Sequence, residues 1–588
     1  MAQLRRLGTH AVFVGVCGLL GCGPSRSSPP SANDGGSSWD SGVAMFDSGP
    51  PPETEERRSF LEPRAGGRYV YVSNPARDTV AVIDSTTLAI ESVEVGRRPS
   101  ALLTVEGRDE AIVLNTGSNT ASILRTSAGR TVVSQVPSFQ GANAIAVAPD
   151  GAHAVIYLDS ELDGAGSSGG SFQDIVVLTL APGMDRAVRL TVGFRPVNVL
   201  FARDGSAAFI VTEDGISILR FAEITGPSIV PNVSLSDVRV GEGPEDSDAG
   251  TDAGDVDASD ATPLGDASED ADDAAPFEAG TVDVPTPRDT SVIVDGSLVD
   301  PRETPTDVSV TPDGRYAIAR NEGSRILRLI DLRTRTISRI DAGGDVTDLD
   351  LSADGTFAVA VLREQSRVLR VPVPGGFMAP ASVRRTDLRG EVFGSVSLAP
   401  DGRRALLFTT ALDARRILVM DLVGADGTIA LTVRKTVRAV AYAPDSRTAL
   451  VLHRVATGDP NERGISLQTM IDRTPGYSML EPSARFVKLQ LTRADLGPFA
   501  IVPGGTHAFL LQRADARAIA DVDRVDLRSF VVTTTSLGSP PSSVGAVPAA
   551  RRVFVGQQHP EGRISFIDWE SGELQSVTGF ELNARVVQ

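Results

Sequence analysis

Five histidines, two cysteines and scattered aspartates and arginines are the residues of this 588-residue chain that could carry chemistry. His10 lies in the leading segment. His153 and His507 stand at equivalent places in two repeats, and His453 and His559 lie near loops of two others; none has a partner at metal-ligand spacing. No Gly-x-Ser-x-Gly elbow, phosphate-binding loop, dinucleotide fingerprint or His-Glu-x-x-His helix occurs. Two looser groups remain. Arg325, Arg367, Arg416, Arg463, Arg524 and Arg563 each read as lying just before the third strand of a repeat. Gathered on one rim, their guanidinium groups would suit an anionic glycan or an acidic protein. Asp307, Asp348 and Asp350 fall on first strands of adjacent repeats, where their carboxylates could hold a cation such as Ca2+. The plainer reading is that each arginine pairs within its own repeat and each aspartate bonds neighbouring backbone.

A further acidic feature is the stretch from Gly241 to about Pro287. Between Gly241 and Asp283 it carries 15 acidic residues and no Lys or Arg. It lacks hydrophobic periodicity and reads as a solvated, low-complexity insert, 241–287. Asp246, Asp248, Asp252 and Asp255 are close enough in sequence to suggest calcium capture, but Gly250 falls at loop position 5 and no Glu stands at position 12, so the order of an EF-hand loop is missing. The formal net charge is -19, and without this stretch the chain is close to neutral. Neither part has the basic footprint that a nucleic-acid partner requires.

The elements that would position these residues are short strands. Hydrophobic residues make up 41% of the chain and aromatics 5%, with 57 Gly and 37 Pro, a balance that favours many strands joined by turns. One signature recurs: an alternating apolar run, a tight turn, and a second β-rich run. The turns are Ala148-Pro149-Asp150-Gly151, Ala202-Arg203-Asp204-Gly205, Thr311-Pro312-Asp313-Gly314, Ser352-Ala353-Asp354-Gly355, Ala399-Pro400-Asp401-Gly402 and Ala443-Pro444-Asp445-Ser446, with weaker copies at Gly107, Gly505 and Ala550. Pro presets φ, Asp bonds the backbone ahead and Gly accepts positive φ. Successive turns lie 41 to 59 residues apart, except for one spacing of 109 that holds the acidic insert. Such a period, with several strands in each unit, predicts an all-β propeller of four-stranded blades with about ten repeats over residues 68–588. One ring, two smaller rings, or fewer blades with decorated loops all fit.

The first unit, Arg68 to Leu102, reads RYVYVSNPARDTVAVIDSTTLAIESVEVGRRPSAL and resembles the YVTN-type repeat of lactonase-like β-propellers. Tyr69–Asn74 would form strand B, Thr79–Asp84 strand C, Ile90–Gly96 strand D, and Pro99 would open strand A of the next blade. The resemblance implies a fold and carries no function, since a fold is not a site. In strand A, Val308 and Val310, Leu349 and Leu351, and Val396 and Leu398 alternate with Asp307 and Ser309, Asp348 and Asp350, and Ser395 and Ser397. The wetter register is expected to line the central channel. Ten strands A are counted, the last at Asn583–Gln588, which could complete the first blade and close the ring.

The leading segment sets the compartment. Arg5 and Arg6 precede an apolar run, Ala11–Leu20, of roughly 10 residues, too short to span a bilayer. Leu19-Leu20-Gly21-Cys22 resembles the lipobox of bacterial lipoproteins, which implies a signal peptide over 1–21 and lipidation of Cys22. Cys17 would leave with the signal, so no disulfide remains. Gly23, in place of Asp, implies the outer membrane, on its periplasmic face or at the cell surface. Residues 22–67, rich in Ser, Pro and Gly, read as a tether of roughly 35–40 Å.

The sequence therefore predicts a monomeric, lipid-anchored cell-envelope protein whose propeller binds protein or polysaccharide, without nucleic acid. Catalysis is not evident. The alternative is a lactonase-like or other metal-assisted hydrolase working in the propeller channel.

Overall fold

The computed structural model describes residues 60–235 and 305–580, apart from 160–161, 163–170, 322, 389, 411–412, 425–426 and 515–516, together with two strands at Val292–Val294 and Ser297–Val299. Cys22, Gly23, the acidic insert 241–287 and Asn583–Gln588 lie outside the described residues. Two compact units are present. The smaller, Ser236–Glu303, contains the two strands just named, paired as an antiparallel hairpin.

The larger unit holds ten four-stranded antiparallel sheets, each in the order A-B-C-D. The blades span residues 64–94, 99–137, 144–191, 196–234, 305–341, 348–387, 395–432, 437–491, 495–536 and 541–578, and are numbered here from 1 to 10. Strands B and C are covered on both faces, so they read as continuous apolar runs; Tyr69–Asn74 and Ala207–Thr212 are buried throughout. Strand D is the outer edge and is largely exposed, as in Val531–Ser536.

The Pro-Asp-Gly signature is the A–B turn. Gly151 N donates to Ala148 O at 2.9 Å, Gly314 N to Thr311 O at 2.8 Å and Gly402 N to Ala399 O at 2.8 Å. The turn aspartate accepts from the amide two residues on, as Asp150 does from Ala152 and Asp401 from Arg403, both at 2.9 Å. At Gly205 φ is +74°, and a Cβ there would stand 2.2 Å from Asp150 Cγ in the turn of the preceding blade. Glycine is thus required by the backbone and by the nesting of successive turns. A second recurrent turn joins C to D. Asp84, Asp331, Asp421, Asp526 and Asp568 end strand C and accept from the two following free amides, as Asp331 does from Arg333 and Thr334, each at 2.9 Å.

Packing closes the ring. Ten apolar clusters are found among the described residues, each joining two consecutive blades. The last sets Val547, Phe554, Ile564 and Phe566 of blade 10 against Val70, Val72, Ala81 and Ile83 of blade 1. Arg552 Nη1 of blade 10 donates to Ser85 O at 2.9 Å across this seam. The fold is therefore a single ten-bladed β-propeller. At the seam the innermost described strand of blade 1 is Arg64–Ala65, paired with Tyr71 and Val70 across the tight Gly66-Gly67 turn. Asn583–Gln588, expected to complete this blade, lie outside the described residues. The described part of the ring includes residues from Phe60 onward, ahead of the expected start at residue 68. Leu61 N donates to Ser73 O at 2.9 Å, and the Phe60 ring meets Phe580 edge-on at 5.2 Å.

Candidate functional site

The antiparallel A-B-C-D order puts the D–A and B–C connections on one face of the ring and the A–B and C–D turns on the other. Strands A surround the channel. Asp348 and Asp350, on strand A of blade 6, reach the backbone of strand A in blade 7. Asp348 Oδ2 accepts from Val396 N at 2.8 Å and Asp350 Oδ2 from Leu398 N at 3.0 Å, while Asp348 Oδ1 accepts from Leu349 N at 2.9 Å. Burial pushes the Asp348 carboxyl up, the Asp307 charge adds to this, and the amide of Val396 and the Arg320 guanidinium oppose it. Asp307 Oδ2 lies 3.9 Å from Arg320 Nε. The wetter register of strand A thus faces the next blade, and the oxygens considered for a cation staple blades 6 and 7. Among the described residues no group of three or more His, Cys, Asp or Glu side chains stands close enough to hold a metal ion.

The six arginines do not form one rim. Arg325, Arg367, Arg416 and Arg563 sit at the start of strand C in blades 5, 6, 7 and 10. Arg325 grips Asp341 through both Nε and Nη2 at 2.8 and 2.5 Å, Arg367 Nε donates to Asp387 at 2.7 Å and Arg416 is 2.5 Å from Glu391. Arg563 donates to Thr578 and Ser539 hydroxyls at 3.0 and 2.9 Å. Arg463 is exposed in the long B–C connection of blade 8, well before strand C starts at Gly476. Arg524 lies inside strand C, Ile519–Asp526, near the opposite face, where it donates to Glu570 O at 2.9 Å.

Polar residues that close strand B recur as latches between blades. Asn115 bonds Ser122 Oγ at 3.0 Å, and Ser122 also receives the amide of Gly96 from the D–A connection at 3.3 Å. Gln557 accepts from Ser539 N at 3.0 Å and donates to Ser565 at 2.6 Å. In blade 8 this place is taken by His453. Its Nδ1 is 3.2 Å from Thr436 O and Nε2 is 2.7 Å from Ser478 Oγ. A carbonyl only accepts, so Nδ1 carries the proton and Nε2 accepts from the serine. Burial pushes the imidazole down to about 4, and the nearby Lys435 adds to the shift. Ser478 is fully buried, so this serine–histidine contact has no route to substrate and acts as a structural bond. His153 and His507 open strand B in blades 3 and 9, as the repeat predicts. His153 stacks on Phe221 at 4.1 Å.

Three features carried no sequence signal. The B–C connection of blade 8 forms a helix, Leu467–Arg473, whose last carbonyls, Ile471 O and Asp472 O, accept from the fully buried Lys435 Nζ at 2.6 and 2.8 Å. Burial lowers the Lys435 ammonium to about 8, against the attraction of Asp472. Between blades 8 and 9, buried Asp523 accepts from Thr534 at 2.6 Å and from Tyr477 Oη at 3.2 Å, and burial raises its carboxyl. Finally, a cavity of about 300 Å³ opens on the channel, walled by the segment Glu62–Ala65, Thr104 and strands A of blades 8 to 10.

No family model matches the chain, and no curated protein matches it. Among solved structures it is similar to hydrazine synthase from Kuenenia stuttgartiensis, at 15% identity and a TM-score of 0.30 over 47% of this chain and 80% of that one. It is also similar to the dihydro-heme d1 dehydrogenase NirN, at 12% identity and 0.40 over 82% and 74%. A third is the β-propeller domain of Myceliophteria thermophila Cps50 (Swd1), at 12% identity and 0.28 over 46% and 85%.

Proposed function

We propose that this chain is a cell-envelope lipoprotein, anchored through lipidated Cys22 and reached by a tether, that binds an acidic protein or polysaccharide of the envelope on the face carrying its B–C and D–A connections. The leader that resembles a lipobox supports the anchor, Gly23 supports the outer membrane, and the first repeat supports kinship with YVTN-type propellers. The observation that carries the binding surface is the uneven loop length of the two faces. The A–B turns are uniform, and the B–C connection of blade 8, residues 454–475, is longer than the C–D connections 221–231 and 373–383 of the opposite face. On that face of blade 8, Arg434, Arg438, Arg454 and Arg463 are exposed, and guanidinium groups suit carboxylate or phosphate. The protein acts as a monomer in this reading. A hydrolase using a channel cation would need carboxylates other than Asp348 and Asp350, whose oxygens already accept strand amides.

The test is an array of acidic and neutral glycans and acidic peptides probed with the mature protein and with Arg438→Glu/Arg454→Glu. Binding to acidic ligands that falls at least tenfold in the double variant supports the surface. Binding that ignores the substitution removes it. The anchor is tested separately: Cys22→Ser should move the chain from the membrane pellet to the soluble fraction, and continued pelleting refutes lipidation.

A further inference from the structure

The ten blades guard their outer edges unequally. An edge strand turns the N–H and C=O of alternate residues away from its sheet, and folded proteins shield such a row with charge, proline, shortness or a covering segment. Strands D of blades 1, 3, 5 and 6 each carry at least two charged residues, as Ile90–Glu94 and Arg384–Asp387 do. Strand D of blade 2 begins with Arg130 and ends on Pro137, and that of blade 4, Asn232–Ser234, has only three residues. The blade 3 edge is also partly covered: Thr191 N donates to Ser228 O at 3.0 Å and Val230 N to Thr191 O at 2.8 Å. By contrast, the consecutive strands Thr428–Thr432, Phe486–Leu491, Val531–Ser536 and Leu574–Thr578 of blades 7 to 10 hold one charged residue between them, Lys488.

We propose that the outer edge of blade 9 takes up an extended, uncharged segment of a second protein as a fifth strand. Val531–Ser536 reads VVTTTS, with five of its six residues β-branched and none charged. All six pair with strand C on the inner side, and among the described residues no strand pairs with the outer side. A row of main-chain donors and acceptors at strand spacing is answered by another extended backbone, which makes the occupant a polypeptide. Beside the first residue stands an apolar ledge. Val531 is 57% exposed, Phe486 of blade 8 is 50% exposed, and the Phe486 ring stacks on Phe530 at 5.8 Å. Lys488 Nζ is engaged with Phe530 O at 2.6 Å. An antiparallel guest lays its C-terminal residue against this ledge, so an aromatic side chain fits there. A second copy of this chain is the poorer occupant, because two chains of net charge -19 repel each other. The inference goes beyond the loop-face reading and uses none of its residues.

The experiment titrates the full mature chain with the amidated hexapeptide Thr-Val-Thr-Val-Thr-Phe, carrying a neutral nitrobenzofurazan label at its N-terminus, and follows anisotropy. Saturable binding of one peptide per chain is expected. Thr533→Lys places on this edge the kind of charge that the other blades carry and should weaken the peptide about tenfold with the melting curve unchanged, and Phe486→Ser, which removes the ledge, about threefold. The same peptide methylated on every backbone nitrogen should not bind, which decides the matter even if Thr533→Lys fails to fold. The proposal is overturned by absent or unsaturable binding, by equal binding of the methylated peptide, or by undiminished binding in a folded Thr533→Lys or Phe486→Ser protein. It is also overturned if the chain alone sediments as a dimer that Thr533→Lys dissociates, since the edge would then belong to a second copy.

Discussion

Blades 6 and 7 and blades 8 and 9 hold buried polar groups in different ways. Between blades 6 and 7, Asp348 and Asp350 accept from amides that every copy of strand A presents, so the repeat itself supplies the partners. Blade 8 buries Lys435 and His453, and the lysine finds its acceptors only because the B–C connection has grown a helix whose end lies over it. The difference teaches that a repeat can place a carboxylate between blades with no further change, whereas a buried ammonium needs a matching insertion. A buried polar group is retained only where its partners are complete.

Breaking the second arrangement should have the largest effect. Lys435→Ala empties the space under the helix and takes the ammonium from Ile471 O and Asp472 O, which keep the Thr474 and Ala456 amides, and should cost about 3 kcal/mol in urea unfolding. If the cost is near zero, the helix is not secured by this residue. Next comes acid. The folded pKa of His453 lies near 4 and that of the unfolded residue near 6.5. The unfolded chain therefore takes up the proton first, and stability is lost as pH falls from 6.5 to about 4, on the order of 3 kcal/mol. Asp348 and Asp523 work in the other direction, because a raised carboxyl gains stability as pH falls through its folded value. In His453→Asn, which installs the residue found at this place in blade 2, the loss over that pH range should largely disappear; an unchanged pH profile would show that another group causes it.

The regular sector should respond less. Asp348→Ala orphans the Val396 amide and should cost about 2 kcal/mol, and Asp348→Asn less, because burial already disfavours the charge. Equal losses for the two would mean that the ionised form is the stabilising one. Smallest of all, Arg325→Ala removes a pair whose side chains are half exposed, and the melting temperature should not move. A measurable drop would promote these rim pairs from surface decoration to structure.

The ten-blade ring was legible because its cause is local. A turn that needs Pro, Asp and Gly in fixed order, followed by an alternating strand, leaves the same mark each time, and the Asp that ends strand C could have been read too, as at Ile83-Asp84, Ile330-Asp331 and Ile567-Asp568. The plain reading of Asp348 and Asp350 as backbone partners also held. The arginine rim did not, because spacing was assumed constant: the helix of blade 8 pushes strand C to Gly476, past Arg463, and strand C of blade 9 begins at Ile519, ahead of Arg524. Lys435, the Asp523 network and the cavity were invisible: Lys435 meets its acceptors across an irregular insertion, Asp523 meets Tyr477 across neighbouring blades, and only the cavity needs ring closure.

The seam between Phe60 and Phe580 also bears on how such a chain can evolve. Each of the ten blade sheets is built, among the described residues, from its own four consecutive strands, and blades 10 and 1 pack face to face. A gene with this plan can duplicate or delete one whole repeat without cutting any sheet in two, and it can be circularly permuted by joining the adjacent ends and opening any A–B turn. Ring size then becomes a quantity that changes in steps of one module, adjusted by the twist between neighbouring sheets rather than by the invention of new strands.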